Sequence, residues 1–410
     1  MEENIFYTRN WVLRRYCSGP LTSHLGSFAA YLSMLGFSYS TGQRYVREAG
    51  RLSLWLHRQK ISLKELNEQT IATYMRFRCK GRRSSLQKGP YVHLLIYLRK
   101  NGLIAALALT QTILENCLRE YREHLEKNHG FSADTIRRLM RVARHFLSRW
   151  SGDNSFDFSL IRSQDITRWI VERSRYIPLS VSTEVSSLRS FLRFQLFRGG
   201  ISMDIVRSVP TIRHWKHAGL PTFLNADQIR LLQEHCDRQT PTGQRDTAIV
   251  SLLVGLGLRA IEICRLKLDD IHWRDGFLTI NGKNGKCSRL PLLLNVGQAI
   301  SAYLRHGRPS CSTRHLFVRS VPPFEPLSSS CSVANVVRKA LARAALHPQR
   351  KGTHLLRRSF ATQMLERGAS LPDIAQILRH ESINTTAIYV KVDINRLRPI
   401  ARAWPEGAQP

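Results

Sequence analysis

A buried helix that breaks at glycines and restarts at an arginine lies in the C-terminal half of the chain. The stretch reads Gly255-Leu256-Gly257-Leu258-Arg259-Ala260-Ile261-Glu262-Ile263-Cys264-Arg265-Leu266. Glycine accepts the left-handed backbone that ends a helix, so the pattern predicts one helix over 246–254 and a second over 259–266. Glu262 follows Arg259 by three residues on the same helix face, where an ion pair can hold the guanidinium in place. An ordinary surface ion pair is the alternative.

Two short alternating segments follow this helix and predict a β-hairpin. Residues 276–280 and 288–292 alternate in polarity, and they are joined by Asn281-Gly282-Lys283-Asn284-Gly285. Asn-Gly steps favour tight hairpin turns. Lys283, at the predicted tip, is placed to protonate a departing oxygen as a general acid. A plain phosphate contact is the alternative role for Lys283, and Lys286 is a rival for the general acid.

Four further residues complete an ordered polar set. His354 and Arg357 are three residues apart, so on a helix both can point at one ligand; His380 and Tyr389 follow. Paired guanidinium groups clamp the nonbridging oxygens of a phosphodiester. A phenol, whose free pKa is about 10, becomes a nucleophile when cations and hydrogen bonds activate it. Each residue alone is as typical of a core or a surface, but their combination predicts metal-free attack on a phosphodiester.

The composition favours a polyanionic partner. The 410-residue chain has 62 Lys and Arg against 30 Asp and Glu, a net charge of +32. Such an excess is typical of nucleic-acid binding, with a ribosome-bound or membrane-surface protein as the alternative. With 43% hydrophobic residues the chain is expected to fold rather than to form a basic tail.

The same composition bears on location and metals. No apolar run approaches the roughly 18 residues of a membrane span, and the start, Met1-Glu2-Glu3-Asn4, lacks the basic and apolar segments of a signal peptide. We therefore expect a bacterial cytoplasmic protein associated with the nucleoid and without a membrane partner. The eight cysteines form no C-x-x-C pair, which argues against zinc and disulfides. No metal site is predicted.

The N-terminal half reads as helices with a weak internal repeat. Gly36-Phe37-Ser38, followed by Thr41, Tyr45, Leu52 and Leu56, recurs at a constant offset as Gly130-Phe131-Ser132, followed by Thr135, Leu139, Phe146 and Trp150. Two helical domains of ordinary size are predicted, with chance similarity between amphipathic helices as the alternative. The predicted boundaries are 1–105, 106–208, a linker over 209–221, and a C-terminal domain over 222–410.

An arginine-rich helix in the second copy is the predicted DNA contact. Its arginines alternate with an apolar face at helical spacing, and the stretch from Ile136 to Trp150 contains no acid. A solvated charged face normally mixes both signs, so phosphate contact is the favoured interpretation. The predicted DNA-binding residues are Arg137, Arg138, Arg141 and Arg144.

Taken in order, the C-terminal motifs resemble those of the tyrosine recombinase (phage integrase) family. The stretch Gly257–Leu266 is similar to the first arginine box, and Lys283 to the family's β-hairpin lysine. His354-Leu355-Leu356-Arg357-Arg358 resembles the His-x-Leu-Arg-His/Arg box, and 378–389 the closing box that ends in tyrosine. The resemblance covers about 221–400. One departure is Arg379, where the family usually has glycine, and it puts the loop geometry beside His380 in doubt.

The resemblance implies a fold and a mechanism. The expected fold is mainly α with a small β-sheet: two N-terminal helical SAM-like DNA-binding domains and an α+β catalytic domain. Residues 106–208 would be the core-binding domain that clamps the duplex together with the catalytic domain. Tyr389 would attack the scissile phosphate and form a 3′-phosphotyrosyl link, which a 5′-hydroxyl from a partner strand then reverses. Neither ATP nor a metal or other cofactor is required.

The resemblance also implies an assembly. Four protomers would act on two double-stranded DNA sites through a Holliday junction, as a homo-tetramer or as a mixed assembly with sister recombinases. The extra N-terminal domain, expected to bind DNA or a partner, and the Trp404-Pro405 tail are similar to transposon-encoded recombinases, which favours integration or excision of a mobile element. A type IB topoisomerase and a non-catalytic DNA-binding relative are the alternatives.

Overall fold

The computed structural model describes residues 19–79, 88–105, 113–128, 130–150, 158–176, 181–212, 222–282 and 287–380, and residue 386. Most of these residues are helical, and one three-stranded antiparallel sheet accompanies the helices. The predicted mainly α fold with a small β-sheet is therefore confirmed. Among the described residues, no helix has both the length and the apolar character needed to cross a bilayer.

Among its described residues, the first helical bundle contains four α-helices, with 3₁₀ turns at Thr22–His24 and Leu63–Glu65. The helices are α1 (Leu25–Met34), α2 (Tyr39–Arg58), α3 (Glu68–Cys79) and α4 (Gly89–Lys100). On α2 the buried side chains recur every three to four residues, as the helical period requires of a face packed against a core. The core includes Phe28, Leu32, Leu52, Tyr74 and Leu98.

In the parts of the second helical bundle that the structure describes there are five α-helices, with 3₁₀ turns at Ser148–Trp150 and Phe158–Leu160. The helices are α5 (Ile113–Asn128), α6 (Ala133–Leu147), α7 (Ser163–Tyr176), α8 (Val181–Phe197) and α9 (Met203–Arg207). Tyr121, Phe146, Trp169 and Phe191 fill its core.

The start of the segment predicted as a linker is packed against this second bundle. Val209 is 4% exposed and belongs to the core of the bundle. The Arg189 guanidinium donates to the carbonyls of Val209 (3.2 Å) and Pro210 (3.0 Å). Residues 213–221, the rest of the predicted linker, lie outside the described residues.

The C-terminal part contains the sheet and seven α-helices among its described residues. The elements are α10 (Ala226–Glu234), α11 (Pro241–Leu256), α12 (Ala260–Arg265), β1 (Ile271–His272), β2 (Phe277–Asn281), β3 (Cys287–Pro291), α13 (Leu294–Ala302), α14 (Ser330–Arg343), α15 (Thr353–Glu366) and α16 (Leu371–Leu378), with a 3₁₀ turn at Leu268–Asp270 and a π-helical turn at Tyr303–Gly307. The sheet order is β1-β2-β3, and Leu278 pairs with Ile271 on one side and Leu290 on the other.

Local signals set most of these boundaries. Asn225 caps α10 by accepting from the Gln228 amide at 2.8 Å. Helix α11 begins five residues before the predicted start, because Thr240 caps it and Pro241 occupies its first turn, where the missing amide proton costs nothing. The two predicted strands lie within one residue of their predicted bounds, whereas the short β1 was not predicted.

The chain divides into two compact units. Residues 105–218 form one unit, and residues 1–104 with 219–410 form the other. Within the latter, the Phe324 ring lies against Gly36, where an added Cβ would come within 2.7 Å of the ring. The first bundle therefore packs on the C-terminal part of the chain.

Candidate active site

Arg259 is positioned by the glycine break between α11 and α12. Gly257 ends α11 with a left-handed backbone (φ 58°), and a Cβ there would lie 2.7 Å from the Phe360 ring and 2.9 Å from Leu378. Only glycine satisfies both the dihedral angle and the close packing. The chain then extends through Arg259, which is the N-cap residue of α12. With its side chain 34% exposed, Arg259 remains open to a ligand.

Glu262 is a buried carboxylate that holds two arginines. Its side chain is 2% exposed; one oxygen accepts from the Arg259 guanidinium (2.8 Å), and the other accepts from the Arg259 amide and the Arg379 guanidinium (both 2.8 Å). Burial raises the pKa of Glu262, but the charge of Arg379 and the hydrogen bonds from Arg259 outweigh it, so the pKa lies below its usual value. The predicted Arg259–Glu262 contact is therefore present, and it is a buried ion pair rather than an ordinary surface one.

Arg357 joins the two loops of the site through their main chain. It lies on α15, is 4% exposed, and donates to the carbonyls of Gly257 (2.6 Å) and Leu378. These two acceptors precede Arg259 and His380 in the chain by two residues each. The buried guanidinium of Arg357 therefore fixes the distance between the loop that carries Arg259 and the loop that carries His380.

Arg379 is a member of the site that the sequence reasoning missed. It ends α16 in the left-handed conformation (φ 56°, ψ 48°), the backbone that makes glycine the usual residue there. Its side chain, 10% exposed, turns inward to Glu262, and its carbonyl accepts from the Arg259 guanidinium at 3.0 Å. The loop geometry that was in doubt is thus a standard left-handed helix end. The sequence signal for this role was a long cationic side chain at a position where the family usually has glycine.

The two histidines lie near these arginines. His380 Nδ1 is 2.7 Å from the hydroxyl of the buried Thr386. Burial, followed by the charges of Arg357, Arg259 and Arg379, lowers the pKa of His380 to about 4, so its ring is neutral near pH 7. Which ring nitrogen carries the proton depends on the direction of the Thr386 bond.

His354 shares this electrostatic environment. Partial desolvation, followed by the charges of Arg357, Arg358 and Arg259, lowers the pKa of His354 as well. The residue is exposed overall, so solvent screens part of this effect. His354 lies one helical turn before Arg357 on α15. Arg357 and Arg259 donate to the carbonyls of Leu378 and Arg379, which directly precede His380, so the four polar side chains lie around one region.

The structure therefore brings four of the six predicted catalytic residues together: Arg259, His354, Arg357 and His380. The predicted hairpin strands pair antiparallel, with Asn281 opposite Cys287. Lys283 and its rival Lys286 lie outside the described residues, as do Tyr389 and the C-terminal tail that follows it.

The arginines of α6 are exposed, but acids face them. Three of the four make ion pairs: Arg137 with Asp134 (2.5 Å), Arg141 with Glu184 (3.5 Å) and Arg144 with Glu115 (3.3 Å). The stretch from Ile136 to Trp150 contains no acid, but Asp134 in the first turn of α6 and the acids Glu115 and Glu184 of neighbouring helices supply these partners. These arginine side chains are 59–69% exposed, and such exposed pairs are weak enough to exchange for phosphates.

A helical domain with a small sheet and a cluster of fixed arginines and neutral histidines fits an enzyme that breaks and rejoins phosphodiesters. Comparisons agree. Residues 222–396 match the model of the phage integrase family. The integrase/recombinase y4rA of Sinorhizobium fredii is 33% identical over 98% of this chain and 99% of its own length. The tyrosine recombinase XerD of Listeria monocytogenes is 30% identical over 71% of this chain and 99% of its own.

The fold has solved counterparts. A lambda integrase tetramer bound to a Holliday junction superposes with a TM-score of 0.51 at 17% identity, over 83% of this chain and 88% of that one. This likeness concerns the fold. The chain belongs to the phage integrase family of tyrosine recombinases, whose members cleave and rejoin DNA strands, and the predicted family is confirmed.

Proposed function

We propose that this chain is a site-specific recombinase that cleaves and rejoins double-stranded DNA through Tyr389. The Tyr389 hydroxyl gives up its proton to the neutral His380 ring and its oxygen attacks the scissile phosphorus; a tyrosyl–phosphate bond forms to the 3′ end, and the bond to the 5′-oxygen breaks. Lys283 donates the proton that the departing 5′-oxygen takes up. Attack by a 5′-hydroxyl from a partner strand reverses the step, so the energy of the broken bond is kept and no ATP is needed.

The convergence of Arg259 and Arg357 carries this proposal. Both guanidinium groups are held by the protein before any substrate arrives, Arg259 by Glu262 and Arg357 by two main-chain carbonyls. Cations that are fixed in advance stabilise developing charge without a reorganisation cost. A phosphate at the exposed side of Arg259 would meet such a prearranged site.

The neutral histidines suit proton transfer and hydrogen bonding. With a pKa of about 4 in the DNA-free protein, the His380 ring keeps one nitrogen free of a proton, and Thr386 fixes its orientation. We assign His380 to hydrogen bonding with Tyr389, whose proton it accepts, and His354 to hydrogen bonding with the phosphate. An anionic phosphate nearby favours the protonated ring, so DNA binding is expected to raise both pKa values.

We propose that four protomers recombine two sites through a Holliday junction, alone or with sister recombinases. The tetrameric fold relative supports this arrangement. The domains assigned are 1–105 for additional DNA or partner binding, 106–208 for core binding with Arg137, Arg138, Arg141 and Arg144 on phosphates, a linker over 209–221, and 222–410 for catalysis. Similarity to the integrase/recombinase y4rA over nearly the whole chain supports a role in integration. We propose that the DNA it integrates or excises is a mobile element, and that it acts at the bacterial nucleoid.

A covalent-trap assay tests the chemistry. The protein is incubated without metal with nicked duplexes from the ends of its own element, and products are separated on denaturing gels. We expect a protein–DNA adduct that Tyr389→Phe abolishes and Arg259→Ala reduces by at least a hundredfold, the usual cost of losing one preorganised donor at a reacting oxyanion. Arg230→Ala is the matched control, because Arg230 is a surface arginine paired with Asp227.

The outcomes separate the alternative functions. No adduct despite confirmed binding of cognate DNA would leave a non-catalytic DNA-binding protein. An adduct that also appears on DNA lacking the element ends, together with relaxation of plasmids that have no cognate site, would assign a type IB topoisomerase instead.

A further inference from the structure

The first helical bundle repeats the local geometry of the second at the start of its longest helix. Gly36 and Gly130, 94 residues apart, both have a left-handed backbone, with φ of 81° and 54°. Ser38 and Ser132 then occupy the N-cap positions of α2 and α6 with φ of −62° and −63° and ψ of 152° and 150°. In both caps the serine hydroxyl lies 3.0 Å from the hydroxyl of the threonine three residues later. The weak sequence repeat therefore corresponds to a repeat of backbone structure.

The two helices also bury the same face. The buried positions recur at the offset of 94: Tyr45 with Leu139, Val46 with Met140, Ala49 with Ala143, and Leu52 with Phe146. Because the helical period fixes the direction of every side chain, the exposed faces correspond as well. Arg44 and Arg47 on α2 therefore occupy the places of Arg138 and Arg141 on α6, and all four are exposed.

A third arginine extends this row on α2. Arg51 follows Arg44 by seven residues, so the row rises about 10 Å along the helix, a length over which one DNA strand presents about three phosphates. Arg51 pairs with Glu48 at 2.7 Å, yet its side chain remains 42% exposed. Glu48 is only 13% exposed and also accepts from Arg78 and Tyr91. Glu48 is therefore engaged within the bundle and does not neutralise the positive charge of the exposed arginine row.

The whole first bundle has an excess of positive charge. Residues 19–104 contain 14 Lys and Arg but only three Asp and Glu, a difference of +11. The other two acids are engaged within the bundle: Glu65 accepts from the Ser62 amide (2.7 Å), and Glu68 pairs with Arg99 (2.8 Å). A module with this charge favours a polyanion over an ordinary protein surface.

We propose that the exposed row of Arg44, Arg47 and Arg51 binds the phosphate backbone of double-stranded DNA. The proposal extends the proposed function, since it takes DNA as the substrate and adds a second contact beside that of α6. Phosphate contacts position a protein without reading bases. Each protomer would then contact DNA phosphates through its first bundle as well as through α6, and the contact of the first bundle would not depend on the DNA sequence.

Salt-dependent binding of the full chain tests the proposal. Affinity for a fluorescent random-sequence duplex is measured by anisotropy over a range of salt concentrations, for the wild type and for Arg44→Gln/Arg47→Gln. Each lost phosphate contact reduces the slope of log K against log salt by about 0.9, so the double variant should reduce the slope by nearly two. Arg44→Lys/Arg47→Lys keeps both charges and should keep the slope.

A matched control distinguishes an effect of this arginine row from an effect of net charge alone. Lys64→Gln/Lys100→Gln removes two exposed charges from other elements of the same bundle, and it should change the slope by less than half as much. Equal effects of the two double variants, or no effect of the arginine variant on the slope, would overturn the proposal. The proposal would also be overturned if the arginine variant lost a protein–protein association while its salt slope stayed unchanged. Failure of the proposed cleavage can be distinguished from failure of this proposal, because the salt slope can be measured even if no Tyr389 adduct forms.

Discussion

Substitutions at Arg379 separate the energetic cost of its left-handed backbone from the stabilisation that its side chain contributes. Arg379→Ala removes the buried guanidinium from Glu262 but keeps a Cβ at φ 56°. Arg379→Gly removes the same guanidinium and also relieves the left-handed strain, worth about 1 kcal/mol. Losing one partner of a buried ion pair typically costs about 3 kcal/mol or more, but Glu262 keeps Arg259 at 2.8 Å. We therefore expect both variants to be less stable than the wild type, with glycine about 1 kcal/mol better than alanine.

Hydrogen–deuterium exchange of the full chain measures this difference locally, which avoids assuming a two-state transition for a chain with several cores. Peptides from 371–380 and from α12 should exchange roughly fivefold faster in Arg379→Ala than in Arg379→Gly, the factor that 1 kcal/mol corresponds to. Peptides from α2 serve as an internal control and should not change. If alanine proved as stable as glycine, the left-handed assignment at this residue would be refuted. If the alanine variant matched the wild type, the ion pair would contribute nothing to stability, since alanine keeps the same backbone strain as arginine.

Three further predictions concern the same site. Glu262→Gln leaves two guanidinium groups without their carboxylate, so we expect a loss of about 3 kcal/mol in the local free energy of opening and slower adduct formation, measured by hydrogen–deuterium exchange of peptides from α12 and by the trap assay; unchanged values would contradict the shared-carboxylate role. Gly257→Ala meets the Phe360 ring at 2.7 Å in a left-handed backbone, and should cost about 2 kcal/mol or more, whereas Gly276→Ala, with a similar φ of 67° but open space around it, should cost less. The pKa of His380 is about 4 when folded and about 6.5 when unfolded, so between these values the unfolded state binds more protons: its contribution to stability is complete above about pH 6.5 and is lost as the pH falls toward 4. Comparison with His380→Gln across this range should show that difference, and a stability difference independent of pH would rule it out.

Features set by neighbouring residues could be predicted from the sequence. The helix break at Gly257, the cap at Asn225 and the hairpin around Asn281-Gly282 each depend on a few adjacent residues. The Arg259–Glu262 contact was predicted for the same reason, since both lie on one turn of helix.

Contacts between distant parts of the chain were beyond that reasoning. Arg379 meets Glu262 from 117 residues away, and Arg357 reaches the carbonyl of Gly257 from 100 residues away. Burial of Glu262 likewise depends on the packed domain, so its ion pair was not distinguishable from a surface pair. The acids opposite α6 were missed because Glu115 and Glu184 lie on other helices.

The two central arginines differ in how far they depend on the identity of their neighbours. Arg357 donates to main-chain oxygens, and every amino acid at position 378 supplies the same carbonyl. Arg259 depends on the side chain of Glu262, so one substitution there removes its carboxylate partner. Substitution at position 378 therefore leaves this acceptor of Arg357 in place, whereas substitution at position 262 removes the partner of Arg259. In a saturation-mutagenesis screen, position 378 should tolerate apolar exchanges of similar size, while position 262 should accept almost no replacement.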